Sequence, residues 1–330
     1  MKKKLIILVG IMAIVVITII ATISYINKSN NEALNIEESK INIVTSFYPV
    51  YVLTINLTDG ISDIKVDSLT DFSAGCLHDY QLTTKDMRLL SNADVFIING
   101  GGMEEYLAEV IDSYPHLKVI DLSKGINLLE SEVHEGGDNP HVWLDPDLYM
   151  IQIENAREEL EKYIEDTWDY KKDLNKDYYK EVIDKLNSNT KAYLDDVGEL
   201  ADDMNQVLET VNNMVSEKNI SNKVVVFHDS FAYLSNKAGL EVAYTVEVDE
   251  DTPLSASEVA EVISAIKLEN IQYLFTEEQY DDTISDRIRD ETEAKIYIID
   301  SAVTGDADKD SYLKAMRKNI DTLKKALLNL

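Results

Sequence analysis

The sequence predicts an α/β protein built as two similar lobes with mostly parallel sheets, joined by a long helical segment. Three observations lead there. The chain has 330 residues, 45% of them hydrophobic, enough for two packed domains. Short β-rich runs alternate with helical patterns in two separate regions, the rhythm of βαβ units. Between those regions lies a stretch without any β run, where charged and apolar residues recur at helical spacing.

The elements follow in order. Met1–Lys4 carries three lysines, and Leu5–Ile26 then runs without a charge. A cleaved signal peptide has an apolar core of about 7–15 residues and a small-residue cleavage site. This run is nearer the ~20 residues that span a bilayer. No small-x-small site closes it, and no cysteine follows that could carry a lipid. Residues 5–26 therefore read as an uncleaved membrane anchor, with the lysines in the cytoplasm and the rest of the chain outside. A long cleaved signal peptide is the alternative. Residues 27–40 are polar and read as a tether.

The first lobe is expected over residues 41–172. Its strands are expected at Ile41–Ser46, Ile64–Ser68, Val95–Asn99 and Lys118–Leu122, with helices at Tyr51–Leu57, Thr84–Leu90 and Glu104–Ile111 between them. The linking helix is placed at residues 173–205, where Tyr179, Val182, Ile183 and Leu186 share one face. The second lobe spans residues 206–330. Its strands are expected at Lys223–Phe227, Glu241–Val246, Tyr273–Phe275 and Lys295–Ile299, and its helices at Ser257–Leu268, Thr283–Thr292 and Tyr312–Leu328.

Composition narrows the function. With 31 Lys and Arg against 61 Asp and Glu, the formal charge is −30. Such a surface repels phosphate backbones, which excludes nucleic acid as a partner. The single cysteine, Cys76, rules out an intrachain disulfide. Ligand sites in open α/β sheets form beyond the carboxyl ends of the strands. His78 lies in the loop after the second strand, His141 just before a helix, His228 at the end of Val224–Phe227, and Asp300 at the end of Lys295–Ile299. Three imidazoles and a carboxylate from two lobes suit a tetrahedral zinc ion. Spacing alone leaves this open, because the residues lie far apart in sequence and a histidine at a strand end commonly serves as a hydrogen-bonding group. Other features have plainer readings. Cys76 is a spectator thiol or, less simply, a thiolate ligand beside His78. His116 is a surface residue, and His134 a loop histidine. Gly100-Gly101-Gly102 lacks the Lys-Ser/Thr of a phosphate loop and reads as a tight turn. Trp143 packs under the site.

The words around these residues carry more. His78-Asp79-Tyr80, Pro140-His141-Val142-Trp143-Leu144-Asp145-Pro146, Phe227-His228-Asp229-Ser230-Phe231, Phe275-Thr276-Glu277 and Ile299-Asp300-Ser301 occur in that order. From Ile41 to Leu330 the chain resembles the zinc- and manganese-binding solute-binding proteins of ABC transporters. The resemblance implies His78, His141, His228 and Asp300 as metal ligands in an interlobe cleft, with Glu277 beside them, and a rigid helix spanning the lobes. It implies Zn2+ as the cargo, with Mn2+ the alternative, and an ABC permease as partner to a monomer on the outer face of a Gram-positive cell membrane. His228, where manganese-preferring relatives tend to have Glu, favours zinc. Three departures stand out: Leu77 replaces a proline or acid before the first ligand, the long His-rich loop is reduced to His134, and the lipid-carrying cysteine is missing. Four protein ligands would close the site, which suits transfer rather than catalysis. A zinc hydrolase, needing an open position and a base such as Glu277 or Asp229, and a surface adhesin are the readings from other classes.

Overall fold

The computed structural model describes residues 22, 40–77, 80–131, 137–168, 175–218, 221–246, 255–277 and 282–328. The anchor segment, the tether, His78 and His134 fall outside these residues, except for Thr22 and Lys40. Among the described residues no helix is long and apolar enough to cross a membrane. The chain divides into two units, Met1–Ile41 with Ser62–Lys65, and Asn42–Ile61 with Val66–Leu330. In the first, Ile41 N–H donates to the Asp63 carbonyl at 2.8 Å. The site residues belong to the second.

In chain order the first lobe comprises β1 (Ile41–Thr45), α1 (Tyr48–Leu57), β2 (Ile64–Ser68), α2 (Thr84–Ser91), β3 (Val95–Ile98), α3 (Ala108–Asp112) and β4 (Lys118–Asp121). A hairpin of β5 (Leu129–Glu130) and β6 (Asp138–Asn139) leads to α4 (Pro146–Thr167), and α5 (Lys176–Lys218) crosses to the second lobe. There follow β7 (Lys223–Val226), α6 (Phe231–Lys237), β8 (Glu241–Thr245), α7 (Ala256–Glu269), β9 (Tyr273–Thr276), α8 (Asp282–Glu291), β10 (Lys295–Ile298) and α9 (Ser311–Leu328).

The two main sheets share one topology. The first has the order β2-β1-β3-β4 and the second β8-β7-β9-β10, and the β1–β3, β3–β4, β7–β8, β7–β9 and β9–β10 pairs are parallel. Parallel strands are covered on both faces, so their interiors read as unbroken apolar runs. Val95, Phe96 and Ile97 are accordingly buried in the first sheet, and Val224, Val225 and Val226 in the second. In the first lobe Val44 and Phe96 pack with Leu90 and Leu107, and in the second Val225 and Leu274 pack with Val262, Ile266 and Ile288.

The helix α5 has 43 residues, about 64 Å of rise. It runs beyond the boundary at residue 205 expected from sequence. Its buried positions explain why. Tyr179, Val182, Leu186, Thr190, Tyr193, Val197, Leu200, Met204, Val207, Val211 and Met214 follow steps of three and four without a gap, giving one apolar stripe along the whole length. That stripe packs on α1, α4 and α9, so burial continues past residue 205 and the helix continues with it.

Candidate metal centre

Each lobe has its switch point where neighbouring strands send their connections in opposite directions. In the second lobe this is the crevice between β7 and β9, because β7 leads to β8 on one side and β9 to β10 on the other. His228 stands two residues beyond β7, and Glu277 one residue beyond β9. Both therefore lie at the carboxyl end of the sheet where the crevice opens.

His141 reaches the same place from the first lobe. It follows β6 and Pro140, and a short 3-10 turn over Val142–Leu144 leads to Asp145, which caps α4 by accepting from Asp147 N–H at 2.9 Å. Asn99, just beyond β3, donates to the Pro140 carbonyl at 2.8 Å and accepts from Gln152 of α4 at 2.8 Å. The hairpin is also tied to the second lobe. Tyr233 donates to the Asn139 carbonyl at 2.7 Å and accepts from Leu129 N–H at 2.9 Å, and Ser131 donates to Asp229 Oδ2 at 2.8 Å. Burial pushes the Tyr233 phenol up to about 12, so it stays a donor at neutral pH.

Asn139 sets the state of the His141 ring. Its Oδ1 faces His141 Nδ1 at 2.9 Å and accepts the His141 backbone N–H at 3.0 Å, while its Nδ2 donates to the Asp229 carbonyl at 2.9 Å. These partners fix which end of the amide is oxygen. Nδ1 must then carry the proton, and Nε2 keeps its lone pair for a Lewis acid. His141 is only 1% exposed, and its ring lies 5.2 Å from that of buried Trp143. His228 is arranged differently: Ser230 N–H donates to its Nδ1 at 3.0 Å, which places the proton of a neutral ring on Nε2.

The rings of His141 and His228 are 5.2 Å apart, edge to face. Cys76, half-buried, brings its Sγ to 3.4 Å from His141 Nε2. One ligand atom from each of Cys76, His141 and His228 lies within 4.8 Å of the others. Among the described residues this is the group that could hold a metal ion. Two ligands on a tetrahedral zinc ion, one sulfur and one nitrogen, stand about 3.5 Å apart, given bonds of about 2.3 and 2.0 Å. The donor set therefore fits a zinc ion.

Of the residues expected from sequence, His141 and His228 are brought together. Glu277 is buried, with Ser230 Oγ 3.5 Å from its Oε1. Asp300 is half-buried and stands outside the three-residue group. Its Oδ1 accepts Ala302 N–H at 2.9 Å, and Asn319 holds its backbone from both sides, accepting from N–H at 2.8 Å and donating to the carbonyl at 2.7 Å. Cys76, read from sequence as a spectator thiol or a thiolate beside His78, lies against His141, 65 residues on, a contact that its place near His78 does not reveal. Asn139 was not read as an orienting group. Its signal was its place two residues before His141, the reach at which an Asn side chain meets nearby backbone. Trp143 does pack under His141, and Gly100, Gly101 and Gly102 all have positive φ, as a tight turn requires.

Residues 43–326 match the family described as zinc-uptake complex component A, periplasmic. The chain is 27% identical over 320 residues to the high-affinity zinc uptake system protein ZnuA of Bacillus subtilis, covering 92% of each. It is 26% identical over 306 residues to the zinc-binding lipoprotein AdcA of Streptococcus pneumoniae, covering 87% of this chain but only 56% of that protein. Among solved structures, the solute-binding protein FpvC of Pseudomonas aeruginosa in complex with Mn2+ superposes with a TM-score of 0.70 at 22% identity, over 88% of this chain and 99% of that one. At that identity the likeness is one of fold.

Proposed function

This chain belongs to the ZnuA family, the periplasmic A component of zinc-uptake complexes, and from that premise we propose that it captures a zinc ion outside the cytoplasm and delivers it to an ABC permease. The observation that carries the reading is the buried His141, whose Nε2 lone pair is held by Asn139 toward Cys76 and His228. Neutral imidazole nitrogen is a good ligand for zinc and a poorer one for manganese, which prefers oxygen. His141 and His228 form the heart of the ligand set, and the family resemblance adds His78 and the Asp300 carboxylate to it. Glu277 stands behind them as a hydrogen-bond acceptor. The site works by binding and release, so the protein is a carrier and not an enzyme.

Binding changes His228 more than His141. A metal at His228 Nε2 requires the ring proton on Nδ1, so the bond from Ser230 N–H is given up on loading. His141 needs no such change. Residues 5–26 anchor the protein to the outer face of the cell membrane of a Gram-positive organism and keep it near its permease, a role supported by their length and lack of charge.

Elemental analysis of the full-length protein, purified in detergent and dialysed against trace metal, tests the reading. About one zinc per chain is expected, with binding lost in a His78→Ala, His141→Ala double variant. Tight zinc binding by that variant would falsify the ligand assignment. Release of the protein from membranes with an amino terminus near Asn27 would overturn the anchor.

A further inference from the structure

Zinc capture by two or three imidazoles leaves one group in the cluster without a role. Cys76 is the only cysteine of the chain, and its sulfur sits among the nitrogens. We propose that the Cys76 side chain binds the metal as a thiolate in place of the Asp300 oxygen, which stands outside the three-residue group, so that this protein's site is a mixed sulfur and nitrogen site. The proposal rests on the metal-capture reading and refines it.

Four observations converge. Cys76 Sγ lies 3.4 Å from His141 Nε2, close to the ligand-to-ligand spacing of about 3.5 Å across a tetrahedral zinc ion. That nitrogen is the lone-pair end of its ring, because Asn139 holds the other end as a donor. The ligand atom of His228 lies within 4.8 Å of both, so a single ion can reach all three. The local backbone also aims the thiol. Gly75 adopts φ +73°, a conformation that residues with a Cβ rarely take, and the next side chain but one, Leu77, is fully buried. Leu77 is held in turn by its carbonyl, which accepts from Tyr80 N–H at 3.0 Å.

The chemistry is balanced without any other reactant. The S–H bond breaks heterolytically, sulfur keeps the electron pair and forms the S–Zn bond, and the proton passes to solvent. Nothing is oxidised or reduced. The functional consequence is selectivity. A thiolate is a soft ligand that favours zinc and disfavours manganese, so Cys76 reinforces the choice that His228 makes.

Cobalt(II) is the probe that tests this, because it takes tetrahedral sites and reports sulfur ligation by a thiolate-to-cobalt charge-transfer band in the near ultraviolet. Full-length protein in detergent, loaded with one equivalent of Co2+, is expected to show that band. Cys76→Ser should lose it while still binding cobalt through its histidines. The same substitution should lower the preference for Zn2+ over Mn2+ by about tenfold or more in competition titrations. Wild-type protein that binds cobalt without the band, and releases it in His141→Ala, overturns the thiolate ligand and leaves the capture reading intact. Failure of the wild type to bind any divalent ion overturns both. The wild-type spectrum decides the matter even if Cys76→Ser does not fold.

Discussion

Asn139 is not a metal ligand in any reading of the site, yet it fixes the chemistry of one. Its oxygen holds the His141 proton on Nδ1, and its amide nitrogen is tied to the backbone next to His228. Partners of this kind are commonly worth 10–100-fold in metal affinity. Asn139→Ala is therefore expected to weaken zinc binding by about that factor, whereas Asn139→Asp, which keeps the acceptor, should retain most of it. Competition with a chromophoric chelator measures both, and equal losses in the two variants would refute an orienting role. Glu104 is a second case in which burial sets the outcome. It accepts the Asn99 and Gly100 backbone N–H groups at 2.9 and 3.0 Å, but loss of solvation outweighs these bonds and pushes its carboxyl up to about 7. The folded chain then holds a proton that the unfolded chain has released. The resulting stabilisation is complete below about pH 4.5 and is lost as pH rises through 7, a span worth about 3 kcal/mol. Glu104→Gln should remove that slope between pH 5 and 8 in urea unfolding, at a cost of about 1 kcal/mol for the Gly100 bond. An unchanged slope would show that Glu104 is ionised throughout. At this scale the meeting of His141 and His228 was legible, because each sits in a specific run of neighbours, whereas Asp300, expected beside them, stands outside their group. The Cys76–His141 contact was not legible, because it depends on how two distant loops approach.

Elements were read more securely than their edges. The βαβ rhythm of both lobes was visible from apolar runs alone, and the strand positions agree to within a residue or two with those expected. The departures have local causes. The first helix begins at Tyr48 rather than Tyr51 because Pro49, with its fixed φ, is well suited to a first turn. The helix expected at Glu104–Ile111 is instead a 3-10 turn over Glu105–Leu107 followed by α3, since Glu104 is turned back to hold the glycine turn after β3. That turn has little tolerance. Gly100 has φ +78°, and a Cβ there would overlap Asp121 Oδ1 and Ser123 Oγ. Gly100→Ala is expected to cost more than about 2 kcal/mol, combining backbone strain with the displaced Asp121–Ser123 bond. The midpoint of denaturant unfolding reads this directly, and a shift below about 0.5 kcal/mol would mean that the turn relaxes.

For the molecule as a whole, the stripe along α5 joins elements of both lobes to one rod, and the ties between the β5–β6 hairpin and the β7–α6 turn fasten them a second time. The site is assembled across those ties, so occupancy and global stability are coupled. Free zinc at 100 times its dissociation constant should stabilise the folded state by about 2.7 kcal/mol, and a strong chelator should remove that gain. A rise of about 5 °C or more in the unfolding temperature on adding zinc is expected, absent in His141→Ala. No rise in the wild type would mean that zinc does not bind the native state tightly. The extent of α5 was only partly legible, because the sequence pattern continues past residue 205 but nothing in it says which helices cover the stripe.

Trp143 links these scales. Its indole N–H donates to the Ser301 carbonyl at 2.9 Å, its own carbonyl accepts from the Tyr312 hydroxyl at 2.7 Å, and its ring lies against His141. Only one other tryptophan, Trp168, exists in the chain, and it lies at the far end of α4. The protein thus carries its own fluorophore at the place where a charge arrives. A cation bound at His141 changes the electric field across the indole, so emission intensity and wavelength report loading in real time, without a label. Trp168→Phe makes that signal a single-site readout, and stopped-flow mixing then gives the speed of capture and, with a chelator in the second syringe, the speed of release.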